Sequence, residues 1–408
     1  MIRLSKILLL FLVTALLAWV LPWVYGFLGG ARPGHPFTLY SSVSGQFSWL
    51  ESSEQGVVRR DDTGQSLTDK EFDSILPFFY YRQLLSDNRF PDTVCGVPVT
   101  PQAVQTGNFM FRSSPRQVNT SPVGLYPLLE SMSGRVDLEA PGDVFRIGRE
   151  GITFIDCATN RVETEKSAAF TEAMRRAGFV FPARLIAGNP TTRKEYDEGF
   201  FIVDQSGRLF HLKQTQGRPF VRAVEQAAGT GIARIFVTEF RNRRYFAFLF
   251  DDAGQFYVLT TGDYALHPVD VPPVDPTRQG MMIVGNLLDW TLKIGDPDGA
   301  EHLYAVDGAA FVRLAEKHRP APEERVFDRA ARYLFPFRLS FTSRLDNEVR
   351  PRLTDFSPWA LILGAVLAVV YCVVRRNRPA APPVLASVFI LVCGLYAFVG
   401  LLLFDRRS

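Results

Sequence analysis

The two ends of the chain limit what it can fold into. From Ile7 to Leu21 every residue is apolar except Thr14, and the apolar character runs on to Leu28. Trp359–Val374 and Val384–Phe404 are apolar too, and neither contains Asp, Glu, Lys, Arg or His. About 20 such residues suffice to cross the hydrocarbon core of a bilayer. There each backbone N–H and C=O must be satisfied within the segment, so such a run is helical. The sequence predicts one span at the N-terminus and two at the C-terminus.

Flanking charge orients them. Arg3 and Lys6 precede the first run, and Arg375-Arg376-Asn377-Arg378-Pro379 separates the other two. Basic flanks stay on the cytoplasmic side. Residues 30–356 and the tail 405–408 then lie outside, although Arg406 and Arg407 run against the rule. The first run is longer than a secretory signal and has no small-x-small cleavage site in the right place, so it reads as an uncleaved anchor, with a cleaved signal as the alternative. Trp19, Trp23 and Tyr25 fall near its outer interface.

Three stretches of the middle look like variants of one unit: Gly199–Val224, Tyr245–Val271 and Thr291–Ala315. Each reads as a strand, a turn built on Asp and Gly, and two more strands. The turns are Asp204-Gln205-Ser206-Gly207, Asp251-Asp252-Ala253-Gly254 and Asp296-Pro297-Asp298-Gly299. Phe201, Phe246 and Leu292 take comparable strand positions. The turn glycines recur at about the 40–50-residue period of a propeller blade. One such unit cannot bury both faces, so units must stack. Asp61-Asp62-Thr63-Gly64 resembles these turns and would open an earlier, degenerate unit. Phenylalanine outnumbers methionine 34 to 6, beside 31 glycines and 27 prolines, which favours strands and turns. The expected fold is mainly β with some α: a β-propeller-like outer domain anchored by one N-terminal and two C-terminal transmembrane helices.

The expected divisions are a signal anchor at 1–29, an α+β portion at 30–198 and the repeats at 199–320. A juxtamembrane stalk at 321–356 follows, then a span at 357–375, a cytoplasmic loop at 376–383, a span at 384–404 and the tail. Within these, Thr68-Asp69-Lys70-Glu71 is a capping box that starts a helix. Residues Asp143–Asp156 alternate as a hairpin. Ser167 is a helix N-cap before Ala168, and Glu323–Leu334 is an amphipathic helix.

Candidate sites are few. Gly188–Gly199 is polar and turn-rich. Its Asn189, Glu195, Asp197 and Glu198 could offer oxygen ligands to a hard cation. Without a calcium-loop pattern the segment reads as a solvated loop, and Asn189, Lys194, Tyr196, Asp197 and Glu198 form a weak ligand-binding set. Cys95 and Cys157 are the only cysteines outside the spans. In an oxidising compartment they suggest a disulfide, with two separate thiols as the alternative. The aromatic run Phe78-Phe79-Tyr80-Tyr81 reads as core. No P-loop, Cys-x-x-Cys, His-Glu-x-x-His or Gly-x-Ser-x-Gly occurs. No catalytic residue, metal site or cofactor is therefore expected. A net charge of +3 is too small to imply a nucleic-acid partner. Ala360, Gly364 and Ala368 give a small-residue spacing that lets helix backbones approach, whether between the two C-terminal spans or against another membrane protein.

The layout resembles an uncharacterised bacterial membrane-protein family. The matching stretches are Leu76-Pro77-Phe78, Leu128-Leu129-Glu130-Ser131, Asp143-Val144-Phe145-Arg146 and Lys194-Glu195-Tyr196-Asp197-Glu198-Gly199-Phe200-Phe201. Genes of that family often lie beside those of ABC transporters. The resemblance implies an inner-membrane protein with a periplasmic domain. It would act as a non-enzymatic accessory subunit with a multi-span permease as partner, and no catalytic residue is implied. The alternatives are a periplasmic sensor signalling through its spans and an envelope enzyme.

Overall fold

The computed structural model describes residues 2–30, 34–53, 56–132, 134–375 and 384–405. They form two compact units: Pro36–Pro320, and Met1–His35 together with Ala321–Ser408. The fold is mixed α and β, with antiparallel sheets and apolar helices.

The larger unit is organised by four sheets. The first joins Phe37–Ser41, Gln46–Ser53, Gly56–Arg60 and Ser66–Leu67 in chain order. The second joins Leu185–Gly188, Phe200–Val203, Leu209–Thr215 and Arg218–Ala223. The third joins Ile232–Val237, Tyr245–Asp251, Phe256–Thr260 and Leu266–Pro268. The fourth joins Gly280–Gly285, Asp289–Gly295, Glu301–Asp307 and Arg313–Arg319, and Phe109–Ser113 adds a fifth strand beside Gly280–Gly285. Among the described residues these sheets stay separate, and strand pairing closes no barrel.

The three expected units are thus the second, third and fourth sheets, each with one more strand ahead of the three that the sequence pattern gave, and the fourth with Phe109–Ser113 besides. The additional strand comes first each time. Leu185–Gly188 is only half-buried and is followed by a long polar loop, which hid it. The expected border at residue 198 falls inside the second sheet.

The Asp–Gly turns join the second and third strands of these sheets. The Gly207, Gly254 and Gly299 amides donate to the Asp204, Asp251 and Asp296 carbonyls, each at 3.0 Å. Their φ values are +87°, +83° and +97°, a region that costs a side-chain-bearing residue strain. Gly64 closes the same turn on Asp61 at 3.1 Å, but between the third and fourth strands of its sheet.

Neighbouring sheets share cores. Phe201, Val203 and Leu209 of the second sheet pack with Ala247, Leu249 and Leu259 of the third. The opposite face of the third sheet supplies Phe248, Phe250 and Val258, which pack with Trp290, Leu292 and Val306 of the fourth. Each such side chain contributes about 1.5–3 kcal/mol when fully buried. The second sheet's other face, with Phe200, Ile202 and Phe210, covers the hairpin Asp143–Ile147/Ile152–Asp156 and the helix Thr164–Arg176.

That helix starts earlier than the sequence suggested. Glu163 precedes its first turn, and Ser167 lies inside it, where its hydroxyl accepts the Phe154 amide at 2.9 Å. The capping box at Thr68 and Glu71 is formed as expected, opening Asp69–Ile75.

In the smaller unit, Leu4–Leu28 and Val384–Phe404 are long and apolar enough to cross a membrane. The third apolar helix, Ala360–Arg375, has 16 residues. At 1.5 Å per residue it reaches about 24 Å, short of a core of about 30 Å. The third expected span is thus seen as an apolar helix that stops where the described residues stop. The expected cytoplasmic loop and the tail beyond Asp405 lie outside the described residues.

Ala360–Arg375 packs on Val384–Asp405 through Gly364. A Cβ placed there would stand 2.7 Å from the Leu391 carbonyl oxygen. Gly400 faces the N-terminal helix, where an added Cβ would stand 3.4 Å from the Thr14 hydroxyl. The amphipathic helix spans Val326–Leu334, with Arg325 ahead of it. Tyr25 stacks on Phe327 at 3.9 Å between centroids, and its hydroxyl donates to the Phe327 carbonyl at 2.9 Å. Arg325 donates to the Gly29 carbonyl at 2.8 Å, satisfying an acceptor left open by the N-terminal helix.

Candidate functional site

The loop between Gly188 and Phe200 joins the first two strands of the second sheet. The loop carrying Glu239 joins the first two strands of the third. These equivalent loops dock on each other through Lys194. Its ammonium donates to the Asn189 carbonyl, Asp197 Oδ1 and Glu239 Oε1, each at 2.6 Å. The Lys194, Asp197 and Glu239 side chains are 5%, 2% and 1% exposed. An ammonium has three donors, and all three are used.

Both carboxylates are further satisfied. Asp197 Oδ2 accepts the Gly199 amide at 2.9 Å and the Ser131 hydroxyl at 3.0 Å. Glu239 accepts the Asn189 side-chain amide and the Glu198 backbone amide, each at 2.8 Å. Burial raises the Glu239 carboxyl above its ordinary range, and the Lys194 contact opposes this. A divalent cation here would need the position the ammonium fills. The arrangement clamps two sheets; it leaves no donor of the Lys194 ammonium open for a ligand.

All five expected ligand residues gather at this point, with differing roles. Asn189, Lys194 and Asp197 form the node itself. Glu198 gives its amide to Glu239, its carbonyl to His211 and its carboxylate to Lys213 at 2.7 Å. Tyr196 donates to the Phe240 carbonyl at 2.9 Å, and Arg243 lies 4.4 Å from its ring centre. Burial pushes the Tyr196 hydroxyl well above its ordinary pKa. Glu195 points outward to Arg241, with both side chains more than half exposed.

Sequence reasoning missed Glu239, Ser131 and His211. Glu239 follows an apolar strand and looks like any loop acid. His211 is fully buried on the third strand of the second sheet, stacked 4.3 Å from Phe201. Its Nε2 lies 2.6 Å from the Glu198 carbonyl and its Nδ1 2.7 Å from the hydroxyl of Tyr264, in the turn between the last two strands of the third sheet. Burial lowers its pKa to about 3, so the ring is neutral.

Cys95 and Cys157 are both free and exposed, so the expected disulfide is not formed. They sit in separate turns. Cys95 lies at the tip of the Thr93–Val94/Val97–Pro98 hairpin, where its thiol meets the Ser42 carbonyl at 3.2 Å. Cys157 follows the strand Ile152–Asp156, its amide held by the Gly142 carbonyl.

The aromatic run is split. Phe78 is buried, while Phe79 is 40% exposed. Both line a cavity of about 310 Å³ with Tyr40, Asn108 and Asn286. Behind its wall Asp289 is 2% exposed and takes hydrogen bonds from Ser42 and Asn286. Burial raises its pKa to about 6.

A family model described as "Domain of unknown function (DUF4857)" matches residues 37–306. No curated protein matches the chain. Among solved structures, the chain is similar to PorZ, an essential bacterial surface component of the type-IX secretion system of Porphyromonas gingivalis. Identity is 10% and the TM-score 0.22, over 72% of this chain and 33% of PorZ. It is also similar to dihydro-heme d1 dehydrogenase NirN in complex with DHE. There identity is 10% and the TM-score 0.19, over 72% of this chain and 85% of NirN. The chain spans only about a third of PorZ, and likeness at these scores carries no argument about fold or activity.

Proposed function

The chain belongs to that family of unknown function, and we propose that it is a non-enzymatic accessory subunit of an inner-membrane ABC-type transport system. In this reading the sheet-built unit is periplasmic and meets a partner or cargo, while the apolar helices hold it beside a multi-span permease. The observation that supports it most is the helix pair at the C-terminus. Its small-residue contact is spent internally at Gly364, yet Ile362, Val366, Val369 and Val373 of the shorter helix remain 56%, 54%, 63% and 68% exposed. An apolar helix with a bare face of this kind suits contact with another membrane protein. The resemblance to a family encoded beside ABC transporter genes supports the choice of partner.

The second to fourth sheets we read as propeller blades. They are consecutive four-stranded meanders with matching turns, packed face to face through shared cores. A propeller presents its loops as a rigid surface, which suits recognition.

The test is affinity purification of the full chain in mild detergent followed by mass spectrometry. A multi-span transport subunit should co-purify, and Val366→Ala combined with Val369→Ala should reduce its recovery. Recovery of the wild type alone, as a monomer or plain homo-oligomer, would overturn the reading.

A further inference from the structure

The smaller unit holds two cavities that share one residue, Arg338. The first, about 520 Å³, is lined by Tyr25, Phe356 and Trp359 together with Arg338 and Asp355. The second, about 470 Å³, is lined by Trp19, Trp23 and Phe341, with Arg338 its only charged wall. Five of these aromatics are exposed: Trp19 45%, Trp23 59%, Phe341 36%, Phe356 70% and Trp359 53%. Exposed tryptophans beside apolar helices are the pattern of a membrane–water interface.

The charges discriminate among occupants. Arg325, Arg332 and Arg352 each sit on a carboxylate, at 2.9, 2.8 and 2.7 Å. Among the described residues no ion pair is formed by Arg338 or Asp355. Arg338 thus offers an unmatched cation to both cavities, and Asp355 offers an unmatched anion to the first alone.

We propose that the two cavities bind one zwitterionic phospholipid of the phosphoethanolamine class. Its phosphate lies on Arg338, its primary ammonium on Asp355, and one acyl chain runs along Trp19 and Trp23. A guanidinium suits phosphate because its planar donors match two oxygens at once. An acid lining the same cavity disfavours a phosphoglycerol headgroup, which carries no cation. A primary ammonium donates three hydrogen bonds and a quaternary one none, so phosphocholine fits Asp355 less well. The apolar second cavity selects a lipid over free phosphoethanolamine. The proposal rests on the long apolar helices being membrane spans.

Carbonate extraction scores membrane residence separately, so failure of that premise and failure of the lipid site are distinguishable. The deciding experiment is native mass spectrometry of the full chain, exchanged into equimolar phosphatidylethanolamine, phosphatidylglycerol and phosphatidylcholine. The wild type should retain phosphatidylethanolamine over phosphatidylglycerol by about tenfold, the scale of one charge-assisted contact. Arg338→Gln should lose retained lipid about tenfold, while Asp355→Asn should keep lipid and lose the headgroup preference. Equal retention of all three lipids by the wild type would overturn the proposal, as would unchanged retention in folded Arg338→Gln. Should a variant fail to fold, titration of the wild type decides. Short-chain phosphatidylethanolamine should change tryptophan fluorescence saturably, and an identical response to phosphatidylglycerol would refute the site.

Discussion

Lys194 and Glu239 meet at 2.6 Å although 45 residues separate them, and both side chains are almost wholly buried. The pair joins equivalent loops of two neighbouring sheets. Removing one member of a buried pair leaves the other charge without compensation, which typically costs about 3–5 kcal/mol. Lys194→Met should therefore lower stability by that amount, measured by denaturant unfolding of the full chain in detergent. Glu195→Ala breaks an ion pair with both members more than half exposed, and should cost less than about 1 kcal/mol. Equal losses from the two variants would show that the node does not carry the sheet contact.

The Lys194 segment also shows what sequence could and could not reveal. Its polar residues and its resemblance to a family motif marked it as unusual. Its burial was illegible, because three of its partners, Ser131, Glu239 and the Asn189 carbonyl, are supplied by tertiary structure or by backbone. Ser131 belongs to another family-like stretch, and the two stretches meet at Asp197. By contrast, the Asp–Gly turns were legible residue by residue, since their hydrogen bonds close within a few positions. The first strand of each repeated sheet was not, although each pairs with the strand that follows it in the chain.

Two buried groups should bend the stability–pH curve in opposite senses. Asp289 has its pKa raised from 3.8 to about 6, mainly by burial. The folded state holds that proton more tightly, so the contribution is full below about pH 4 and is lost as pH rises through about 6. His211 has its pKa lowered from 6.5 to about 3, again mainly by burial. Its contribution is full above about 6.5 and is lost as pH falls toward 3. Asp289→Asn, which mimics the protonated acid, isolates the first effect. The wild type should lose about 2 kcal/mol relative to this variant between pH 4 and pH 7. A wild-type-minus-variant difference that stays flat across that window would contradict the buried setting of Asp289.

The cysteines give a covalent readout. Cys95 and Cys157 are exposed and free, whereas Cys372 and Cys393 lie in the apolar helices and are half-buried. A membrane-impermeant maleimide should modify Cys95 and Cys157 in the native, unreduced protein and spare the other two. Peptide mapping that finds Cys95 linked to Cys157 would contradict the separate turns in which they sit.

Gly364 separates intramolecular packing from partner contact. A Cβ there would approach the Leu391 and Ile390 carbonyl oxygens to 2.7 and 3.2 Å, and neither backbone atom can move alone. A leucine must push the helices apart, at the cost of the contacts among Tyr371, Ile390 and Ala397. Overpacking of this kind costs about 1–3 kcal/mol. Gly364→Leu should therefore lower the thermal stability of the purified protein even with no partner present. Val366→Ala, on the exposed face, should leave that stability within about 0.5 kcal/mol of wild type, as surface substitutions usually do. The measurement is thermal unfolding in detergent for all three proteins. Unchanged stability in Gly364→Leu would mean that the glycine faces something other than its neighbouring helix.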